Sequence, residues 1–143
     1  MKTISIKLSK EQEAFWRQSD RDMENINNAR IAKREGYPEL KGSEKQVSWA
    51  ETIRVKFVKS CKNTISLTRK QDGEAVAEAY EKSLKIMMSK VKDAGWWIDN
   101  RRKDPDDLLE DYINNSIIKG KEFSSTEEAR AFLDNYYREL GLE

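Results

Sequence analysis

The residues with the most chemistry to offer lie together in the run Trp96-Trp97-Ile98-Asp99-Asn100-Arg101-Arg102-Lys103. Indole faces stack on bases or on partner side chains, an asparagine amide pairs with a base edge, and guanidinium forks fit phosphates. Trp97, Asn100, Arg101 and Arg102 are therefore expected to hold a nucleotide, a nucleic-acid strand or an acidic protein surface. The same run equally suits a packing role: one indole fills the core, the other covers a helix end, and the cations answer the acids that follow at Asp104, Asp106 and Asp107. Upstream, a helical projection at about 100° per residue sets Gln46, Ala50, Ile53 and Phe57 on one face, with Trp49 and Arg54 at its margins. Trp49 and Arg54 then either line a groove against the Trp97 region or pack at the core edge, with Gln46 serving as a helix cap.

Composition narrows the alternatives. The chain has no histidine and a single cysteine, Cys61, which removes imidazole acid/base chemistry, a Cys/His nucleophile pair and a thiolate/imidazole zinc site. Cys61 falls on the apolar face of its helix and is expected in the core. The acids Asp104, Asp106, Asp107, Glu110 and Asp111 crowd a helix entry, where the helix dipole accounts for them, so neither a metal nor a cofactor is expected. No carboxylate pair stands out for catalysis, and the expected activity is binding without enzymatic turnover. Lys+Arg 27 and Asp+Glu 26 nearly cancel, so an electrostatic partner must be met by a local patch. Lys56, Lys59 and Lys62, with Arg69 and Lys70 beyond, read either as a phosphate-tracking stripe or as a solvated helix face. No run approaches the length of a membrane span, and residues 1–10 alternate where a signal peptide would be apolar, which points to a cytoplasmic protein.

With 143 residues of which 37% are hydrophobic, one domain spanning residues 1–143 is expected. Ile4, Ile6 and Leu8 alternate with polar residues as in a short strand over 3–8. Ser9 and Gln12 carry the capping-box spacing and predict a helix from Lys10 towards Arg34, with Gly36 and Pro38 as its stop. The polar second half of that helix, with Asn25, Asn27, Asn28 and Arg30, must be exposed or held by another element. Ser43 and Gln46 repeat the box before a helix over 44–62. Ile65 and Leu67 alternate with threonines and serine, compatible with a second short strand pairing with the first. A helix over 73–94 follows, with Asp72 as cap and Gly95 as stop, then one over 105–115. A last helix begins at the Ser125/Glu128 box and carries Phe132, Tyr136 and Tyr137, wide and aromatic enough to predict self-association. The expected fold is a mainly α, compact domain of about five helices.

The run Leu40-Lys41-Gly42-Ser43-Glu44-Lys45-Gln46-Val47-Ser48-Trp49-Ala50-Glu51-Thr52-Ile53-Arg54, taken with Trp96-Trp97-Ile98-Asp99-Asn100-Arg101, resembles a family of small uncharacterised proteins of phages, plasmids and integrated elements in Gram-positive and gut bacteria. The likeness covers about a third of the chain and carries no established reaction. It implies a setting in which small accessory proteins blunt host defence, as an anti-CRISPR does by binding a protein or nucleoprotein effector. Two further roles fit that setting: a sponge holding a nucleotide immune signal between Trp97 and Trp49, with its phosphate on Arg54, Arg101 and Arg102, and a DNA- or RNA-binding accessory protein.

Overall fold

The structure is a computed structural model that describes residues 9–142. It comprises α1 (Lys10–Arg34), α2 (Glu44–Gln71), α3 (Glu74–Lys90), α4 (Ala94–Asp99), α5 (Pro105–Tyr112) running on into a π-helical turn (Ile113–Ile117), and α6 (Thr126–Glu139). The fold is mainly α, as expected, and α4 is the helix that sequence reasoning did not anticipate. Long α2 is the spine: α1, α3, α4 and α5 all pack on it, and α6 leans on α3.

The helix starts follow local chemistry. Ser9 Oγ accepts from the Gln12 amide at 3.1 Å while the Gln12 side chain accepts from the Ser9 amide at 3.0 Å, and Ser43 and Gln46 repeat the exchange before α2. Each box satisfies two amides that a helix entry otherwise leaves unpaired. At α6 only half the box forms. Ser125 Oγ accepts from the Glu128 amide, but the Glu128 carboxylate turns to the amide and hydroxyl of Ser124. Asp72, expected to cap α3, instead ends α2, and Gly73 precedes α3 without a side-chain cap.

The expected strand at Ile65 and Leu67 is helix, because the stripe Phe57, Val58, Cys61 and Ile65 continues at three- and four-residue steps and is buried throughout. Burial of that stripe outweighs the β-branched alternation, and Leu67 is left exposed. The strand expected over residues 3–8 lies outside the described residues. The first core cluster joins Phe57, Cys61 and Ile65 of α2 to Leu84 and Met87 of α3 and Trp97 of α4. The π turn extends its element beyond the expected end at Asn115 and brings Ile117 into a second cluster with Ile86, Leu133 and Tyr137. Tyr137 is buried there, and Phe132 and Tyr136 pack against it half-buried, so this aromatic stripe is largely consumed within the chain.

The polar half of α1 is held by α2. Thr52 Oγ1 donates to Asn25 Oδ1 at 2.7 Å and accepts from Asn28 Nδ2 at 3.3 Å, with Asn28 and Thr52 both buried. Thr52→Val, which keeps the shape and removes both bonds, is expected to cost about 1–3 kcal/mol in urea unfolding, because the buried Asn28 amide and the half-buried Asn25 amide lose their partner. A loss below about 0.5 kcal/mol would mean that α1 is docked by other contacts.

Burial, followed by the charges of Asp106 and Asp104, pushes the Cys61 thiol up to about 12. Native protein at pH 8 is therefore expected to resist thiol alkylation that proceeds promptly in urea. The sign of the linkage follows. The folded state keeps this proton after the unfolded chain has lost it, so stability falls as pH rises from about 9 towards 12.

Candidate functional site

Lys41, just before α2, forms a parallel bridge with Asp93, just before α4. The Lys41 amide donates to the Lys92 carbonyl at 2.7 Å, and the Ala94 amide donates to the Lys41 carbonyl at 2.9 Å. Gly42 makes the approach feasible, since it sits at φ +154° and a Cβ there would lie 3.1 Å from both Ala94 Cβ and Gln46 Oε1. Because Lys92 is committed to this bridge, α3 ends at Lys90. Gly95, expected as the stop, instead lies in the first turn of α4, with its amide donating to the Asp93 carboxylate.

Trp97 is the keystone of this junction. It is 1% exposed, its ring stands edge-to-face against Phe57 and Trp96 with both centroid distances 5.1 Å, and its Nε1 donates to the Val91 carbonyl at 3.1 Å. The packing alternative therefore holds for Trp97: no ring face is open for a base to stack on. Asn100 spends its Nδ2 on the Trp96 carbonyl at 2.8 Å, closing the end of α4.

Beside this core lies a groove of about 360 Å³ lined by Lys56, Trp97, Asn100, Arg101, Arg102 and Lys103, among others. Arg101 Nη1 donates to the Ile98 carbonyl at 2.8 Å, and its guanidinium sits 5.1 Å from the ring centroid of Trp49, which is 45% exposed. Among the described residues Arg101, Arg102 and Lys103 are exposed and have no ion-pair partner, while Lys56 pairs with Glu24 of α1 at 2.7 Å. The structure thus gathers Trp49, Asn100, Arg101 and Arg102 at one surface, with Trp97 beneath them. Lys56 and Lys103 belong to the same groove. The projection that sets Ile53 and Phe57 on one face also leaves Lys56 beside them, which is the signal by which it was recoverable.

Arg54 stands apart and corrects the expectation that it shares a pocket with Trp97. It is 1% exposed, its Nη1 donates to the Pro38 carbonyl at 2.6 Å, and its guanidinium lies 5.4 Å from the Tyr37 ring centroid. It lines a different cavity, of about 620 Å³, at the elbow between α1 and α2. Burial lowers its pKa, opposed by the negative charge of Glu51 and by Tyr37, and it remains a cation. The sandwich expected for a nucleotide sponge, with two indole faces and Arg54 on the phosphate, is not formed.

One further surface escaped sequence reasoning. Phe15, Trp16, Met23 and Ile26 project within about 100° of one another on α1 and are each at least half exposed. Their spacing reads as a core-facing stripe, but α2 covers only the later turns of α1. Among the described residues no helix is long and apolar enough to cross a membrane, and no group of three or more His, Cys, Asp and Glu is placed to hold a metal. Comparison with protein-family models, with curated proteins and with solved structures finds no match.

Proposed function

We propose that the protein is a non-enzymatic binding protein of a mobile element that inhibits bacterial immunity by associating with a protein or nucleoprotein effector in the host cytoplasm. The observation that carries this reading is the groove with Arg101, Arg102 and Lys103 unpaired at its rim and Trp49 beside it. Adjacent exposed cations repel one another and gain most by meeting a surface rich in phosphate or carboxylate. Trp and Arg are also the side chains that most often anchor protein interfaces, and here they come pre-stacked. An effector nuclease with its guide RNA offers both kinds of surface. The mobile-element setting comes from the resemblance.

The test is affinity purification of the tagged protein from a lysate of defended bacteria, with mass spectrometry of proteins and released small molecules and sequencing of bound RNA. A defence nuclease is expected to co-elute. A released nucleotide without a macromolecule would replace this reading by the sponge, and a salt-sensitive mobility shift with bare DNA or RNA would replace it by a nucleic-acid accessory role.

A further inference from the structure

We propose that the cavity at the α1–α2 elbow is a second binding site, for a small zwitterionic carboxylate of the amino-acid class, whose carboxylate docks on the free edge of Arg54. Among the described residues the Arg54 guanidinium has one hydrogen bond, from Nη1 to the Pro38 carbonyl, and no carboxylate within ion-pair distance. Among the described residues Nε is fully buried with no acceptor, and Nη2 makes no hydrogen bond. A strut for the Pro38 carbonyl needs one of the five N–H groups that a guanidinium carries. The edge left over, Nε with Nη2, is the parallel pair of donors that a carboxylate accepts side-on, and because Nε is fully buried an incoming carboxylate must displace wall atoms to reach it. Glu51 acts on this buried cation only across space, without an ion-pair contact, and an incoming anion in direct contact lowers the cost of keeping it buried.

The walls define the rest of the ligand. Lys33 and Glu39 stand exposed at the rim, Glu51 is half-buried, and Ala32, Leu40 and Val47 supply apolar wall. Two carboxylates around the same cavity repel a phosphate dianion. A monocarboxylate that also carries an ammonium meets Arg54 with one end and Glu51 with the other, with its aliphatic part against Leu40 and Val47. A volume of about 620 Å³ admits such a molecule with room for water.

The test is thermal melting and ligand-observed NMR of the full chain at fixed ionic strength, with L-leucine, L-glutamate, acetate, butylammonium and inorganic phosphate as probes. At least one amino acid is expected to raise Tm saturably, by several degrees at about 100-fold excess over Kd, with acetate weaker and phosphate without effect. Arg54→Met, and Arg54→Lys, which keeps charge but loses the fork, are expected to weaken the response at least about tenfold. Glu51→Gln is expected to weaken amino-acid binding while sparing acetate, and it leaves the buried arginine in place should the Arg54 variants fail to fold. Arg101→Glu/Arg102→Glu is expected to change nothing here, which separates this site from the effector groove. The proposal is overturned if neither amino acid shifts the wild type, if phosphate outperforms both, or if Arg54→Met responds like wild type.

Discussion

Trp97→Ala is expected to lower the unfolding free energy by about 3–5 kcal/mol, whereas Trp49→Ala costs less than about 1 kcal/mol. Both are tryptophans, and only their surroundings differ. Trp97 fills the space between Phe57 and Trp96, and its Nε1 satisfies the Val91 carbonyl, which the end of α3 leaves without a helical donor. Its removal leaves a cavity and an unpaired, half-buried carbonyl together. Trp49 is 45% exposed and packs under Arg101, an arrangement worth about 0.5–1 kcal/mol at an exposed site. Urea unfolding followed by circular dichroism separates the two. Equal losses would mean that Trp97 is no more embedded than Trp49.

The second large effect concerns binding. Arg101→Glu/Arg102→Glu replaces two adjacent cations at the groove rim by carboxylates, and it is expected to weaken effector association by about 100-fold, equivalent to about 2.7 kcal/mol. The cost to folding stays below about 1 kcal/mol, because both side chains are exposed. The loss should fall mainly on the association rate and shrink as salt is raised, which distinguishes an electrostatic contact from a disturbed fold. Surface plasmon resonance at low and high salt reads both.

Much of this arrangement was legible from spacing alone. The Ser9/Gln12 and Ser43/Gln46 boxes form as written, and the stripe through Phe57 and Cys61 lies in the core. What failed depends on contacts distant in sequence. Lys41 captures the Lys92 carbonyl, so α3 stops early and Gly95 becomes part of a helix. No local pattern announces that pairing. Ile65 and Leu67 read as a strand over six residues, yet Ile65 belongs to the longer helical stripe that runs from Phe57, and the longer pattern buries more surface. Arg54 sat at the margin of an apolar face on the helical projection, which leaves the direction of its side chain open. Packing turns it towards Pro38 and Tyr37, away from the indoles. The asparagines of α1 gave the opposite lesson: polar on every face, they needed a polar partner, and Thr52 supplies it.

The proposed effector surface is the set of exposed cations beside Trp49, with no ion-pair partner among the described residues. Its most direct test is biolayer interferometry of the effector recovered from lysate against wild-type protein and Arg101→Glu/Arg102→Glu, run in parallel with Arg54→Met. Tight, salt-sensitive binding is expected of the wild type and of Arg54→Met, with a loss of about 100-fold in the double reversal. Equal affinity of the double reversal and the wild type would contradict it and move the interface elsewhere, first to the exposed Phe15, Trp16, Met23 and Ile26 face of α1.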